Sequence, residues 1–299
     1  LMSVSLPVTA DYPDGPVQFI VPWPPGDFED ILTRWIAEDM EKATGMAASV
    51  VNRPGGGDGP FPGALEVLAA PADGSVIGSF VIGVPIVGPR IDIGIEADSF
   101  EPIGIFLTYP FVLAAGENAP YSNMAELAAH AKNNDVVLGH FGAGLVPTKA
   151  SFAAAKSMGF EWADESAFDM LDCNSLSAGD ADVINTTLAL IEPCLGKIKV
   201  LANIGEEPIA KLSGVKTLAD QAGINNVELW NGLFVKKGTP QATKDKIAEI
   251  AKASMTSDRA KDLMAESGAR IYWQDADASA ARIVADNAKF DELNAMLNN

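Results

Sequence analysis

The stretch Val17-Gln-Phe-Ile-Val-Pro-Trp-Pro-Pro-Gly-Asp-Phe-Glu-Asp30 runs from an apolar segment through a proline-rich turn into a helical pattern. Its first residues are typical of a buried strand, and Pro-Trp-Pro-Pro-Gly ends that strand in a turn. Apolar residues then recur at helical spacing, at Phe28, Ile31, Leu32, Trp35, Ile36 and Met40. The stretch therefore predicts the first half of a βαβ unit, with a loop at the carboxyl end of its strand.

The same alternation continues along the chain on the C-terminal side of this stretch. Strands are predicted at 48–51 and 76–82, with a helix at 65–70 between them. Further helices are predicted at 124–132, 148–158, 188–195, 244–256, 258–267 and 278–297, and further strands at 136–139, 183–185 and 199–202. This alternation favours parallel βαβ units. No serine- and glycine-rich linker separates two halves, which suits a chain that crosses between two lobes more than once.

The composition favours a soluble protein with two α/β domains. The chain has 299 residues, 48% of them hydrophobic, which is enough for a core in each domain. Forty Asp and Glu residues against 21 Lys and Arg give a net charge of −19. A surface this acidic repels nucleic acid and anionic lipid, and it favours a monomer. The longest apolar stretch, Ser75 to Val87, is interrupted by glycine and proline and does not read as a membrane span.

The N-terminus and the two cysteines bear on whether the protein is exported. Residues 1–10 are apolar and lack a basic leader, so we expect them to follow a removed signal peptide, which places the protein in the periplasm. Cys173 and Cys194 fit neither a metal-binding spacing nor a CxxC motif. An exported protein can pair them in a disulfide. Two buried free thiols are the alternative, since spacing alone does not fix the Cα distance.

The loop after the first strand supplies the first candidate binding residues. Ligands of open α/β sheets bind at the carboxyl ends of strands, where free N–H groups and the helix dipole favour an anion. Asp27 and Glu29 either contact an amine or hydroxyl of a ligand or only cap the helix, and for Asp30 capping is the favoured role. The candidates here are Trp23, Pro25, Gly26, Asp27, Phe28 and Glu29, with Ser79 from the third predicted strand.

The segment Gly139–Thr148 is a second loop that leads from a strand into a helix. Gly142 and Gly144 would let backbone N–H groups approach a ligand closely. The glycine spacing is not that of a dinucleotide-binding fingerprint. His140 either donates to a carboxylate or is satisfied by the backbone at the strand end. The candidates from this loop are His140, Gly142, Ala143, Gly144 and Thr148.

A third group of polar residues lies at the end of a short predicted strand. Asn185, Thr186 and Thr187 place amide and hydroxyl groups there, and such neutral groups suit carboxylate recognition. Equally, they could only cap the helix that follows. Phe168 is a further candidate that would make the pocket more apolar.

Motifs for catalysis or metal binding are missing from the sequence. It contains two histidines, and no HExxH, GxSxG or P-loop motif. No cofactor or metal is therefore predicted, and an enzyme is not the favoured class. A hydrolase that uses a pair of carboxylates stays an alternative, because acidic residues are abundant.

Short motifs along almost the whole chain occur in an order that resembles one family. They are Ile20-Val-Pro-Trp-Pro-Pro-Gly26 followed by Asp30, Asn52-Arg-Pro-Gly-Gly-Gly57, Asp73-Gly74, Asp98 to Pro102, Gly179 with Asp182, and Trp230 to Pro240. Together they resemble the substrate-binding receptors of tripartite tricarboxylate transporters, also called the Bug or TctC family. Each motif is short, and the specificity lies in their order and spacing.

The resemblance implies an α/β fold of the two-lobed periplasmic-binding-protein (Venus flytrap) type. Each lobe would be a mixed, mostly parallel sheet flanked by helices. Lobe 1 would comprise 11–112 and 235–299, lobe 2 would comprise 113–234, and the ligand cleft would lie between them, with two crossing strands as the hinge. In this family one carboxylate is held by backbone N–H groups and waters at the first loop. The resemblance implies a small mono- or dicarboxylate as the ligand, which in this family includes some aromatic acids and acidic amino acids. The ligand would pass to a membrane permease.

The chain departs from the family at the first loop. Where the family usually has Gly-Ser-Thr after Pro-Pro-Gly, this chain has Asp27-Phe-Glu29. Two acids beside a carboxylate oppose it by about 1 to 4 kcal/mol at ~4 Å, depending on the local dielectric. We therefore expect a ligand with one carboxylate and either an apolar body or an amine. The alternatives are an α/β enzyme acting on a small carboxylate and a receptor that feeds a sensor.

Overall fold

The strands form two separate sheets in the computed structural model, which describes residues 12–225 and 227–298. The predicted remnant at 1–10 lies outside the described residues. The strands are β1 (Val17–Val21), β2 (Ala48–Asn52), β3 (Val76–Val81), β4 (Phe100–Thr108), β5 (Phe111–Gly116), β6 (Val137–His140), β7 (Asp164–Ala167), β8 (Val183–Thr187), β9 (Ile198–Asn203), β10 (Trp230–Lys236) and β11 (Arg270–Gln274). In the described residues one sheet has the order β11-β4-β10-β3-β1-β2 and the other β7-β6-β8-β5-β9.

Helices flank both sheets. They are α1 (Phe28–Thr44), α2 (Phe61–Ala69), α3 (Gly83–Val87), α4 (Met124–Ala131), α5 (Val146–Met158), α6 (Cys173–Ala178), α7 (Leu188–Ile191), α8 (Leu218–Ala222), α9 (Gln241–Met255), α10 (Asp258–Ser267) and α11 (Ala276–Asn298), with 3-10 turns at Gly88–Arg90 and Glu192–Lys197. We call the six-stranded sheet with its helices the first lobe and the five-stranded sheet with its helices the second lobe. In the described ranges, no helix has the length and apolar character needed to cross a bilayer.

Both sheets are mixed, which confirms the predicted α/β fold with two mixed sheets. The prediction that they are mostly parallel was wrong, because in the described residues three of the five strand pairs of the first sheet and two of the four of the second are antiparallel. The predicted βαβ units account for the parallel pairs, in which β1 lies between β2 and β3 and β6 between β7 and β8. The antiparallel pairs involve β4, β5, β9, β10 and β11. Several of these strands are buried along most of their length, so they show no alternation of apolar and polar residues and periodicity does not identify them.

The core of the first lobe explains why α1 forms where the sequence predicts it. Leu32, Ile36 and Met40 repeat at helical spacing and are fully buried against the sheet. Each contributes about 1.5 to 3 kcal/mol relative to an exposed side chain. The helix ends at Gly45, whose backbone is left-handed and whose N–H donates to Glu41 O at 2.8 Å. The packed stripe therefore holds the first turn of α1 firmly at the end of β1.

The chain crosses between the lobes at two neighbouring places. It leaves the first sheet after Thr108 and joins the second at Phe111, and it leaves the second after Asn203 and rejoins the first at Trp230. The two crossings are joined by the Tyr109 N–H, which donates to Leu229 O at 2.8 Å. The predicted bounds between the lobes, at 112 and 234, lie within a few residues of the two points at which the chain joins the second sheet and rejoins the first.

Helix α11 contacts both lobes. Near its start, the Ser279 hydroxyl accepts from the Ile105 N–H in the first sheet at 3.0 Å. Near its end, the carbonyl of Leu297 accepts from Lys156 Nζ on α5 at 3.1 Å. The sequence predicts this helix as part of lobe 1. In the structure its C-terminal half also packs against the second lobe.

A disulfide joins Cys173 at the start of α6 to Cys194 in the turn after α7, with the Cα atoms 5.9 Å apart. This distance lies in the range that a disulfide requires. Of the two alternatives left open by the spacing, the structure has the disulfide and not the free thiols. The bridge fastens the segment that follows β8, which supplies residues to the site described next.

Candidate functional site

A cavity lies between the two lobes, and loops of both lobes form its walls. About 640 Å³ of space lies between its walls, including the mouth that is open to solvent. The first lobe and the crossings supply Trp23, Pro24, Asp27, Glu29, Val81, Ile82, Gly83, Tyr109, Leu229 and Trp230. The second lobe supplies Phe111, Phe141, Leu145, Val146, Pro147, Asp169, Met170, Thr187 and Leu190.

Most of this wall is apolar and aromatic. Trp23 of the first lobe meets Phe141 of the second edge to face, with ring centroids 5.4 Å apart. Phe111 meets the same Phe141 ring at 6.0 Å. Such pairs join the lobes across the cleft and present ring edges and faces to the cavity. The body of a bound molecule would therefore contact hydrocarbon on several sides.

Asp27 connects the two lobes at the cavity. As the N-cap of α1 it accepts from the Phe28 N–H through Oδ1 at 2.8 Å. Its other oxygen, Oδ2, accepts from the Thr187 hydroxyl at the end of β8 at 2.7 Å. Burial raises the pKa of Asp27 to about 6, and these two hydrogen bonds oppose the rise. Asp27 thus caps the helix and also faces the cavity, which combines the two roles considered for it.

Glu29 is the second acid at the cavity, and it is 2% exposed. Burial, followed by the charge of Asp27, raises the pKa of Glu29 well above its usual value. Its Oε2 atom is buried without a hydrogen-bond partner, which is unusual for a polar atom in a folded protein. Burial and the charges of Glu29 and Asp27 also raise the pKa of the Tyr109 hydroxyl.

Positive charge is absent from the described wall of the cavity, since none of its residues is Lys, Arg or His. Also within the described residues, no group of three or more His, Cys, Asp or Glu side chains is placed to hold a metal ion. The recognition of a charged ligand would therefore rest on the three acids of the wall, Asp27, Glu29 and Asp169, on neutral donors and on backbone N–H groups.

Two N–H groups of the first loop are already used by acids of the protein itself. Asp30 Oδ2 accepts from the Gly26 N–H at 3.2 Å, and Asp27 accepts from Phe28. Asp30 also binds Arg34 Nη2 and Asn52 Nδ2, both at 2.9 Å, so its role is structural, as favoured from the sequence. Side chains of the chain therefore occupy two N–H groups of the loop at which the family resemblance implied a carboxylate.

The start of α5 in the second lobe is free of such capping. Its N-cap is Leu145, whose side chain makes no capping hydrogen bond, and Leu145, Val146 and Pro147 line the cavity. In the first turn of this helix the N–H groups of Val146 and Thr148 have no acceptor inside the helix, and the dipole makes this end partially positive. Pro147 has no N–H, and the Leu145 N–H donates to Gly142 O at 3.1 Å. The second lobe thus presents the end of a helix that suits an anion.

The structure brings three of the predicted first-loop residues to the cavity, namely Trp23, Asp27 and Glu29. Pro25 and Gly26 are exposed outside its wall, and Phe28 is buried in the core. Ser79 is also buried away from the wall, where its hydroxyl bonds Thr33 Oγ1 at 2.7 Å. The side chains of Phe28 and Ser79 do not face the cavity, because successive residues of a helix or strand point in different directions.

The second and third predicted loops reach the cavity through residues next to those predicted. His140 is fully buried, contacts Glu165 and accepts from the Gly142 N–H. Its ring nitrogens therefore have partners near the strand end, which agrees with the second of the two roles considered for His140. The cavity wall does not include Gly142, Ala143, Gly144, Thr148 or Phe168. Their neighbours Phe141, Leu145, Asp169 and Met170 line it instead.

Asn185 and Thr186 anchor backbone rather than facing the cavity. Asn185 Nδ2 donates to Pro147 O at 2.8 Å, and the Thr186 hydroxyl donates to Leu171 O at 2.6 Å. Thr187, one residue further along β8 and predicted in the same group, lines the cavity. Tyr109, Leu229 and Trp230 were missed as cavity residues, because the sequence does not mark the crossings as part of a site.

A second polar contact closes the cleft. The Asp169 carboxylate of the second lobe accepts from the backbone N–H groups of Gly56 and Gly57 at 2.9 and 3.1 Å. These glycines have φ values of 65° and 93°, which side chains rarely tolerate, and this conformation turns both N–H groups toward one anion. The Asn52-Arg-Pro-Gly-Gly-Gly57 motif therefore serves as a contact between the lobes.

Residues 32–294 match the model of the tripartite tricarboxylate transporter family receptor. The chain belongs to this receptor family. The predicted resemblance is thereby confirmed. These receptors are solute-binding proteins of transporters, and the two-lobed architecture agrees with structures of similar proteins.

One curated protein and two solved structures are similar to this chain. The UPF0065 protein of the tcbD-tcbE intergenic region of Pseudomonas sp. strain P51 is 27% identical over 264 residues, which cover 83% of this chain and 76% of that protein. The structure of R. palustris Rpa4515 with adipate has a TM-score of 0.85 at 20% identity and covers 96% of this chain and 98% of that one. The periplasmic binding protein BugD has a TM-score of 0.82 at 24% identity, covering 94% and 97%.

Proposed function

We propose that this chain is an extracytoplasmic receptor that binds a small organic carboxylate with an apolar body between its lobes. It would deliver this ligand to the membrane permease of a tripartite tricarboxylate-type transporter. The observation that carries the proposal is the mainly apolar cavity whose walls come from loops of both lobes. Closure of two lobes around a solute is how such a receptor would bind.

The carboxylate is proposed to lie at the start of α5. Val146 and Pro147 bring this helix end to the cavity, and no side chain caps it. The corresponding end of α1 is occupied by Asp27 and Asp30. The similar R. palustris protein was solved with adipate, a carboxylate, and this supports the same ligand class here.

We propose a periplasmic monomer and a receptor rather than an enzyme. The family membership and the similarity to a periplasmic binding protein support this location and role. The cavity holds two acids that could act as acid and base, so the enzyme alternative is tested by looking for turnover of any acid that binds.

Calorimetric titration of the protein with a panel of small mono- and dicarboxylates tests the proposal. We expect one acid to bind with one molecule per chain, and Val146→Asp to weaken it by about tenfold or more. Aspartate in the first turn complements the helix dipole, so the helix should still form, while its charge occupies the proposed carboxylate position.

The matched control is Val284→Asp, which places the same charge on an exposed position of α11 and should leave affinity unchanged. Failure of every acid to bind, together with turnover of one of them, would contradict a receptor role. Equal binding by both variants would remove the start of α5 from the site.

A further inference from the structure

The two carboxyl groups of Asp27 and Glu29 form an acidic pair inside a mainly apolar cavity. They are 7% and 2% exposed, so water screens them little. Both lie in or next to the first turn of α1, and both line the cavity. Burying two acids together costs folding free energy unless something compensates their charge.

The protein itself leaves part of this pair without a donor. Glu29 Oε2 is buried and has no hydrogen-bond partner. The Tyr109 hydroxyl is close enough to Glu29 to lower the pKa of that carboxyl by hydrogen bonding, yet Oε2 stays unpaired. Thr187 already donates its hydroxyl to Asp27. A buried acceptor of this kind favours a ligand that brings the missing donor.

The described cavity wall contains no cationic side chain that could pair with Asp27 and Glu29. The guanidinium of Arg34, on the same helix, is held by Asp30 and by Asn52 Oδ1 at 2.8 Å. The acids that surround the pair are Asp30, on the same helix, and Asp169, from the facing lobe. The charges of the described wall therefore attract a positive group and repel a negative one.

We propose that Asp27 and Glu29 bind an ammonium group, so that the ligand is a zwitterion with an apolar body, such as a hydrophobic amino acid. This inference rests on the proposed function, which places the ligand carboxylate at the start of α5. The ammonium would then contact the first lobe and the carboxylate the second, with the body against Trp23 and Phe141. A ligand of this kind joins both lobes through charges of opposite sign.

The pKa directions of the pair agree with this assignment. Burial raises the pKa of Asp27 to about 6 and that of Glu29 well above its usual value, so both carboxyl groups hold a proton more strongly than exposed ones. An ammonium group beside them favours the ionised forms, so ligand binding should be accompanied by proton release.

Two matched sets of probes test the ammonium subsite by calorimetry. The aromatic set is phenylalanine, 3-phenylpropionate and 2-phenylethylamine, and the aliphatic set is leucine, 4-methylpentanoate and 3-methylbutylamine. Within a set the body is the same, and the members differ in which charged groups they carry. We expect, in at least one set, the amino acid to bind about tenfold or more tightly than the acid without the amine.

Two variants show which residues carry this preference. Glu29→Gln and Asp27→Asn keep the shape of the side chains and should reduce the preference for the amino acid over the acid to less than about threefold. Glu41→Gln, an exposed change on the same helix, is the control and should leave the preference unchanged. Thermal melts of each variant check that it is folded, and either acid variant alone is sufficient for the test.

The outcomes separate this inference from the proposed function. An acid that binds as tightly as its amino acid overturns the ammonium subsite and leaves the carboxylate receptor standing. An amine that binds as tightly as its amino acid supports the subsite and contradicts the carboxylate position at α5. A preference for the amino acid that survives in both variants, or no binding by any of the six probes, also overturns the subsite.

Discussion

The Asp27 carboxylate of the first lobe accepts a hydrogen bond from the Thr187 hydroxyl of the second lobe at 2.7 Å. The bond joins the start of α1 to the end of β8 beside the cavity. Both groups are buried, so the bond exists only when the lobes are together. Closure of the cleft and the ionisation of Asp27 are thereby connected.

Removal of this donor should weaken ligand binding. Thr187→Val keeps the shape of the side chain but leaves Asp27 Oδ2 without its partner, which should cost about 1 to 3 kcal/mol in the closed form. Calorimetry with an acid or amino acid that binds the wild-type protein measures the loss. Thr256→Val, an exposed change at the end of α9, should have no effect. Wild-type affinity in Thr187→Val would show that the contact does not contribute to closure.

The stability of the ligand-free protein should depend on Asp27 between pH 4 and pH 7. The pKa of Asp27 rises from 3.8 to about 6 on folding. The folded state therefore holds the proton more strongly, and Asp27 lowers the free energy of unfolding as pH rises through this window. A rise of this size corresponds to a loss of about 3 kcal/mol by pH 7.

Asp27→Asn keeps an N-cap and removes this titration. The variant should gain stability over the wild-type protein as pH rises from about 4 to 7. The other titratable groups near the Asp27 carboxyl are unchanged in the variant, namely those of Glu29, Asp30, Tyr109 and Asp169. Urea unfolding of both proteins at several pH values measures the difference. A difference that is constant with pH would show that the pKa of Asp27 is not raised.

Asp169 should hold the cleft closed through Gly56 and Gly57. Asp169→Asn removes the charge that both N–H groups approach and should raise the ligand dissociation rate by about threefold to thirtyfold, for a loss of ~0.6 to 2 kcal/mol. Stopped-flow measurements give this rate. Asp135→Asn, an exposed change in the same lobe, serves as control. Unchanged dissociation would indicate that the cleft closes without this contact.

Loss of the disulfide should destabilise the second lobe. Changing Cys173 and Cys194 to serine should lower the free energy of unfolding by about 3 kcal/mol, as expected for a closed loop of this size. Denaturant unfolding measures the change, and a thiol assay of the unreduced, denatured wild-type protein should find no free thiol. Detection of two free thiols would exclude the bridge.

The sequence predicted those parts of the fold in which local pattern and packing agree. Leu32, Ile36 and Met40 have a helical spacing and are buried as that spacing requires. The crossings were not predicted as cavity walls, because Tyr109 and Trp230 become neighbours of the cavity only through pairing between distant parts of the chain. Contacts of this kind are decided by tertiary structure and leave no local pattern.

The binding residues were predicted to the right loops but often one or two positions away. Thr187 lines the cavity while Thr186 points to the other face of β8, since side chains alternate along a strand. The loop before α5 was chosen for its glycines, whereas Phe141 and Leu145 form the wall there. Asp27 and Glu29 were predicted correctly to lie at the cavity, because a helix start at a strand end brings its first turn to the cleft.

The most direct test of the central claim, a cavity that takes up one small organic acid, is native mass spectrometry of the purified chain. After incubation with the panel of small carboxylates and amino acids, we predict a single chain that carries one molecule of one such acid. The adduct should be lost in Val146→Asp and kept in Val284→Asp. A wild-type chain that stays free of any adduct, or an adduct that persists in Val146→Asp, would contradict the proposed site.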